Sequence, residues 1–311
     1  MNYIFGPVPS RRLGRSLGID LVPFKTCTYD CIYCQLGKTT NITSERKEWF
    51  PLEYIVSELK GKLDTRPDYI TLGGSGEPTL YSPIGELIDR IRSMTNVPIA
   101  VLTNGSLLWQ DKVRKQLMGA DLIIPSLDAG DKKMFQAVNR PIPNITFEQM
   151  LEGLIVFKSE FRGKYWLEVL LLAEYTGTAA EVRKLVDCVS KINPDRVQLN
   201  TVTRPPTEEY AISVTKHQLR EFAKLFEPPA EIIADFRGIH QQVDFLSTKE
   251  DIIKMLQRRP CTINDIANGL GIHMNEAIKH VEKLLENGLL EHDTLEDKTY
   301  YRCKVKESED A

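Results

Sequence analysis

From about residue 17 to residue 201, short apolar β-rich runs alternate with stretches whose apolar positions recur at helical spacing. The runs are Leu17 to Val22, Tyr69 to Leu72, Ile99 to Thr103, Leu122 to Ser126, Trp166 to Leu172 and Val197 to Thr201. Between them, 52–63, 84–94, 112–118, 147–161 and 179–192 carry amphipathic helical periodicity. Such alternation predicts parallel strands joined by helical crossovers, an α/β architecture. Six units are too few to close an eight-stranded barrel, and periodicity leaves an open doubly wound sheet as the competing arrangement. Past residue 247 the pattern changes. Helical stretches at 249–256, 264–269 and 274–287 precede strand patterns at 289–292 and 299–303, the order of a winged helix-turn-helix. The expected division is a large α/β unit (1–245), a winged helix unit (246–305) and an acidic tail (306–311).

With 311 residues, 42% of them hydrophobic, the chain can bury one large core and a small appended one. No run of about 18 apolar residues appears, and the amino terminus lacks a charged start followed by an apolar stretch, so a cytoplasmic protein with no membrane partner is expected. A formal charge of −3 gives no overall pull toward nucleic acid. Between 247 and 303, eight basic residues face ten acidic ones, among them Glu276, Glu282 and Glu286 on the third helix and an acidic wing that includes Glu296 and Asp297. That surface repels phosphates, which makes DNA a poor partner for the winged unit and a protein or peptide the expected one.

The densest chemistry follows the first strand pattern, in Cys27-Thr28-Tyr29-Asp30-Cys31-Ile32-Tyr33-Cys34, a C-x3-C-x2-C cluster. Three thiolates closing on one loop can hold three irons of a cubane [4Fe-4S] cluster and leave the fourth open to an outside ligand. Zinc is the alternative, but a structural zinc wants four ligands, and Cys188, Cys261 and Cys303 are too scattered to complete a set. Gly73-Gly74-Ser75-Gly76-Glu77-Pro78-Thr79 follows the second strand pattern; its glycines permit close backbone approach, as they also do in a plain strand-to-helix turn. Thr103-Asn104-Gly105-Ser106 follows the third, where Asn104 or Ser106 equally suits a helix cap. After the fourth, Ser126 and Asp128 point to one side, and Asp128 also suits a cap for a helix near Asp131. Glu168, amid apolar neighbours, either faces a cavity or has an ionic partner. The sixth pattern carries Gln198, Asn200 and Thr201, followed by Arg204 on a stiff Pro-Pro loop that suits a carboxylate or phosphate as well as solvent. Arg11, Arg12 and Arg15 fit either an anionic ligand or a solvated hairpin.

Together these motifs resemble the radical SAM superfamily, in which an aromatic residue, here Tyr33, usually precedes the third cysteine. The resemblance implies a partial (β/α)6 barrel, open at one side, with functional groups at the carboxyl ends of the strands. It implies a [4Fe-4S] cluster on Cys27, Cys31 and Cys34, whose open iron takes the amino and carboxylate groups of S-adenosylmethionine. Reductive cleavage would then yield methionine and a 5′-deoxyadenosyl radical that abstracts a substrate hydrogen. The implied cofactor site draws on Tyr33, on Gly74, Gly76, Glu77 and Pro78 of a GGEP-like loop, on Thr103 and Asn104, and on Ser126 and Asp128. Glu168, Gln198 and Asn200 are further candidates facing the cavity. A flavodoxin- or ferredoxin-type donor is the implied reductant. The PSRRLG, GEPTL and TNGS segments and the stretch 126–141 narrow the resemblance to the branch of wyosine tRNA-modification enzymes, although the cysteines of that branch's second cluster are missing. That branch points to a tRNA or nucleotide substrate, the acidic winged unit to a peptide or protein. The rival from another class is an iron-sulfur sensor with a DNA-binding winged unit, which has no use for polar loops on successive strand ends.

Overall fold

The computed structural model describes residues 3–10, 12–234, 249–270, 272, 274–295 and 298–304. The expected domain boundary near 245, the tail 306–311, Arg11, Glu296, Asp297 and the side chain of Glu276 lie outside the described residues.

One eight-stranded sheet forms the body. At its edge β1 (Ile4–Ser10) pairs antiparallel with β2 (Gly14–Ile19). Next come a two-residue parallel ladder of β3 (Thr26–Cys27) and β4 (Asn41–Ile42), then β5 (Tyr69–Leu72), β6 (Ile99–Thr103), β7 (Leu122–Pro125), β8 (Lys164–Leu171), β9 (Arg196–Thr201) and a short β10 (Glu231–Ile232). The crossovers carry α1 (Leu52–Lys60), α2 (Ile84–Met94), α3 (Asp111–Leu117), α4 (Lys132–Val138), α5 (Phe147–Glu160), α6 (Ala179–Ile192) and α7 (Lys216–Ala223). The sheet order is β1-β2-β5-β6-β7-β8-β9-β10, and every pairing from β2 onward is parallel. A doubly wound sheet reverses its order at a switch point. Here each new strand adds on the same side, so right-handed crossovers put all the helices on one face and the sheet curls into a partial barrel of six βα units. Strand order thus decides what periodicity left open.

The apolar runs lie where expected because these strands are buried on both faces. All four residues of β7 are buried, and Leu72 of β5 packs in the same core as Leu59 of α1 and Ile88 of α2. The edge strand β1 and the two-residue strands β3, β4 and β10 were not legible in the pattern. β1 contains Pro7 and Pro9, which disqualify a central strand but suit the edge it occupies. The first parallel strand is displaced from the expected 17–22 to Gly14–Ile19, where β1 and β5 flank it and pair with it.

The second unit contains α8 (Lys249–Leu256), α9 (Ile263–Leu270), α10 (Met274–Glu286) and a hairpin of β11 (Leu290–Leu295) and β12 (Lys298–Cys303), the expected winged helix-turn-helix. Ile252, Leu256, Ile266, Ala277, Val281 and Leu284 build its own core. It is docked on the barrel toward both ends of the strand order. α8 and α9 pack on β1, whose Val8 joins the second core, and the Tyr300 hydroxyl donates to Thr203 O just past β9. Among the described residues no helix is long and apolar enough to cross a membrane.

Candidate active site

Inside the partial barrel lies a cavity of about 450 Å3. Strand side chains such as Ser16 and Thr71, hydrogen-bonded at 2.5 Å, line it together with loops at the carboxyl ends of the strands. The cysteine loop forms part of its rim. Thr43 N donates to Cys27 O at 2.9 Å at the base of the loop, and Ile32 N donates to Val138 O at 3.0 Å, tying it to the end of α4. Cys27, Cys31 and Cys34 are free thiols and all three line the cavity. Each sulfur receives one side-chain nitrogen donor: Asn104 Nδ2 reaches Cys27 Sγ at 3.5 Å, Asn139 Nδ2 reaches Cys31 Sγ at 3.6 Å, and Lys25 Nζ reaches Cys34 Sγ at 3.8 Å. Lys25 is 3% exposed, so its ammonium charge acts on the sulfurs with little screening from water.

This donor set fits a [4Fe-4S] cluster. Burial, and then the Glu77 charge, pushes the Cys27 thiol up to about 12. Burial and the neighbouring sulfurs raise Cys31 well above its ordinary value. Thiols arranged this way lose their protons when a cation stands between them, as the irons of a cluster do. Among the described residues no three His, Cys, Asp or Glu side chains are grouped as ligands of one metal ion. A cubane instead takes one thiolate at each of three separate corners. Tyr29, another lining residue, keeps a buried hydroxyl with no partner among the described residues, a polar group left over for a bound molecule.

The glycine loop is pressed against the chain that leads to Cys27. Gly74 has φ 152°, in a region that favours glycine, and a Cβ there would lie 2.4 Å from Asp20 Oδ1; a Cβ at Gly76 would lie 1.9 Å from Thr26 O. Glu77 is buried and accepts from Thr79 N at 3.0 Å, Thr79 Oγ1 at 2.6 Å, Thr103 Oγ1 at 2.6 Å and Asn104 N at 2.7 Å. Its carboxylate therefore braces the loops after β5 and β6 against each other, and burial still holds it above the usual carboxylate value. Asn104 Oδ1 accepts from Ser106 N at 2.9 Å and its Nδ2 donates to Thr28 Oγ1 at 2.8 Å, so this loop packs onto the cysteine loop and neither residue caps α3.

Most of the residues expected at the site line one cavity: the three cysteines, Tyr33, Gly74, Gly76, Glu77, Thr103, Asn104, Ser126, Glu168 and Asn200. Glu168 faces the cavity and is also paired, with Arg12 Nη1 on one oxygen and Asn200 Nδ2 at 2.8 Å on the other. Pro78, Asp128 and Gln198 stand behind the lining. Pro78 opens a buried 3-10 turn, and Gln198 donates to Glu231 Oε2 at 3.2 Å. Asp128 is not a helix cap; Asp131 caps α4 by accepting from Met134 N at 2.8 Å. Asp128 instead accepts from the Tyr33 hydroxyl, from Asn139 Nδ2 at 3.1 Å and from Leu170 N at 3.1 Å, holding Tyr33 from behind. Sequence reasoning missed Lys25 and Asn139 at the sulfurs, and Met255, Arg258 and Arg259 of the winged unit in the cavity wall. A signal existed only for Asn139, within the 126–141 stretch.

Residues 21–186, just over half of the chain, match the Radical SAM superfamily. The chain belongs to the radical SAM superfamily. Residues 251–293 match a helix-turn-helix domain, inside the winged unit. A UPF0026 protein of Methanocaldococcus jannaschii is 33% identical over 315 residues, covering 98% of this chain and 97% of that protein. A protein named GTPase Obg from Brachyspira hyodysenteriae is 39% identical over 307 residues, and this chain spans only 45% of its length. An S-adenosyl-L-methionine-dependent tRNA 4-demethylwyosine synthase of Oryza sativa is 24% identical over 208 residues, 60% of this chain and 30% of that enzyme. Among solved structures, a radical SAM methyltransferase from Sphaerobacter thermophilus aligns with TM-score 0.54 at 15% identity, over 72% of this chain and 67% of that one. The structure of anSMEcpe with bound AdoMet aligns with TM-score 0.53 at 18% identity, over 70% and 63%. At these identities the structural likeness speaks for the radical SAM fold alone. The cofactors of the superfamily are the [4Fe-4S] cluster that the three thiols fit and S-adenosylmethionine.

Proposed function

We propose that this chain is an enzyme that cleaves S-adenosylmethionine reductively and uses the product to abstract hydrogen from a nucleotide-type substrate. When bound, a [4Fe-4S] cluster with one open iron supplies one-electron cleavage of the sulfonium of S-adenosylmethionine to methionine and a 5′-deoxyadenosyl radical. Cys27, Cys31 and Cys34 would hold three irons. The donors from Asn104, Asn139 and Lys25 orient the three sulfurs, and hydrogen bonds to cluster sulfurs adjust the potential at which an electron is accepted. Gly74 and Gly76 line the cavity and would present backbone groups to the methionine end of the cofactor, with Ser126, Glu168 and Asn200 on the facing strands as its further contacts. Glu77 and Asp128 act through others: the first fixes the Thr103-Asn104 loop, the second fixes Tyr33.

The observation that carries this reading is the placement of three free thiols, each with its own side-chain nitrogen donor, in the wall of one cavity. A tRNA or nucleotide substrate is supported by two distant relatives, the wyosine synthase and a probable GTP 3′,8-cyclase of Thermoplasma volcanium. GTP hydrolysis is not part of the proposal. The single Gly-Lys-Thr of this chain, Gly37-Lys38-Thr39, has Ile32 where a phosphate-binding P-loop needs its first glycine. An oxygen-sensitive cluster and free cysteines support a reducing, cytoplasmic setting with a flavodoxin- or ferredoxin-type donor.

The test is anaerobic reconstitution with iron and sulfide, reduction with dithionite in the presence of S-adenosylmethionine, and chromatography for 5′-deoxyadenosine. Wild type is expected to carry about four irons per chain and to form 5′-deoxyadenosine. Cys31→Ala should lose both, whereas Cys188→Ala, on α6 and away from the cavity, should keep both. A loaded protein that leaves S-adenosylmethionine intact would return the sensor reading to the front, and loss of the cluster with Cys188 would overturn the ligand set.

A further inference from the structure

The winged unit is part of the cavity wall. Met255, Arg258 and Arg259, from the end of α8 and the turn after it, line the same cavity as the cysteines. Arg258 is committed to docking: its Nε lies 2.7 Å from Asp20 Oδ2, and its guanidinium covers the Phe5 ring at 4.4 Å. Arg259 is half-buried, and its side chain has no ion pair or hydrogen bond among the described residues. Arg204 enters from the other side of the opening, on the loop after β9. It is 6% exposed, donates to Gln35 Oε1 at 3.2 Å and lies 4.0 Å from Asp265 Oδ1 of α9.

Arg204 and Arg259 act on each other. Burial first, and then the Arg259 charge, lower the Arg204 guanidinium below its ordinary value. Two like charges facing one cavity repel each other, and burial strengthens that repulsion. Around an oxyanion the same pair is favourable, because each planar fork offers parallel N–H donors that match phosphate geometry. Both residues also lie beyond residue 186, outside the stretch that matches the superfamily, whereas the cysteines and the glycine loop lie within it. Arg259 lies within 251–293, the stretch that matches a helix-turn-helix domain, so it comes from a unit outside the superfamily match.

We propose that Arg204 and Arg259 form an oxyanion subsite, shared between barrel and winged unit, that takes a phosphate group of the substrate. The proposal rests on the nucleotide reading above and gives the winged unit a role inside the active site. The carboxylate of S-adenosylmethionine is the other source of the same chemistry, and the experiment separates the two. Anaerobically reconstituted full-length protein, with S-adenosylmethionine present, is titrated calorimetrically with sodium pyrophosphate. Wild type is expected to bind it, and Arg259→Gln about tenfold more weakly, with Arg259→Lys losing less and all three melting alike. No binding to wild type, or equal binding to wild type and Arg259→Gln, overturns the subsite. An equal loss of S-adenosylmethionine affinity in Arg259→Gln also overturns it, since the pair would then hold the cofactor's carboxylate. Because binding is read directly, a wild type that forms no 5′-deoxyadenosine would sink the enzyme reading without obscuring this result.

Discussion

Burial lifts the Asp128 carboxyl from an ordinary 3.8 to about 6, even though Tyr33, Leu170 N and Asn139 all donate to its charged form. Desolvation therefore outweighs three hydrogen bonds at this site. Because the folded value lies above the unfolded one, the contribution of this group to stability is complete below 3.8 and is lost as pH rises through about 6. The shift corresponds to about 3 kcal/mol. Asp128→Asn keeps an acceptor but cannot ionise, so the difference in unfolding free energy between wild type and this variant is expected to change between about pH 4 and pH 6 and to be flat above. Denaturant unfolding of the metal-free chain at a series of pH values measures it, and a difference independent of pH would refute the burial account. In the sequence Asp128 suited a cap or a ligand contact, and the cap of α4 turned out to be Asp131. The Asp128 partner Tyr33 is 95 positions away, beyond the reach of any local pattern. Lys25, only nine positions from Cys34, was missed for another reason: a lysine carries no local sign that it will be buried.

At the scale of elements, the loops after β5 and β6 and the cysteine loop behave as one piece. Glu77 joins the first two, Asn104 joins the second to Thr28 and Cys27, and the Gly76 backbone lies directly against Thr26. A Cβ at Gly76 would lie 1.9 Å from Thr26 O, so Gly76→Ala must push the β5 loop and the cysteine loop apart. The expected cost is about 1–3 kcal/mol of stability, accompanied by weaker iron retention after desalting, whereas a merely structural loop would show the first effect without the second. The motif was legible because glycine is needed wherever backbone meets backbone this closely. Which backbone it would meet was not.

For the whole molecule, the position of the winged unit matters most. Sequence periodicity described it correctly as a separate helix-turn-helix with its own core, and its acidic balance spoke against DNA. The fold adds that it spans from β1 to the loop after β9, the two sides of a sheet that does not close on itself. Asp20 and Arg258 tie the two units, with side chains 9% and 13% exposed. Arg258→Gln leaves the Asp20 charge buried without its cation, which is expected to cost about 3 kcal/mol. Differential scanning calorimetry should then show the winged unit melting separately and earlier than the barrel. One unshifted transition would mean that the apolar packing of α8 and α9 on β1 holds the units together without the ion pair.

Local pattern in this chain determined the six parallel strands, the helices between them, the winged unit and the cysteine cluster, because burial on two faces, helical periodicity and ligand spacing are all written within a few consecutive residues. The tertiary structure alone decided that the sheet curls instead of winding doubly, that a proline-bearing strand and a two-residue strand form its edges, and that Asp128 and Glu77 brace the site from behind the wall or within it. It alone brought Asn139 and Arg259 to the cavity. Those outcomes depend on contacts between segments tens to hundreds of residues apart, whose energies come from burial and charge in three dimensions and leave no period in the sequence.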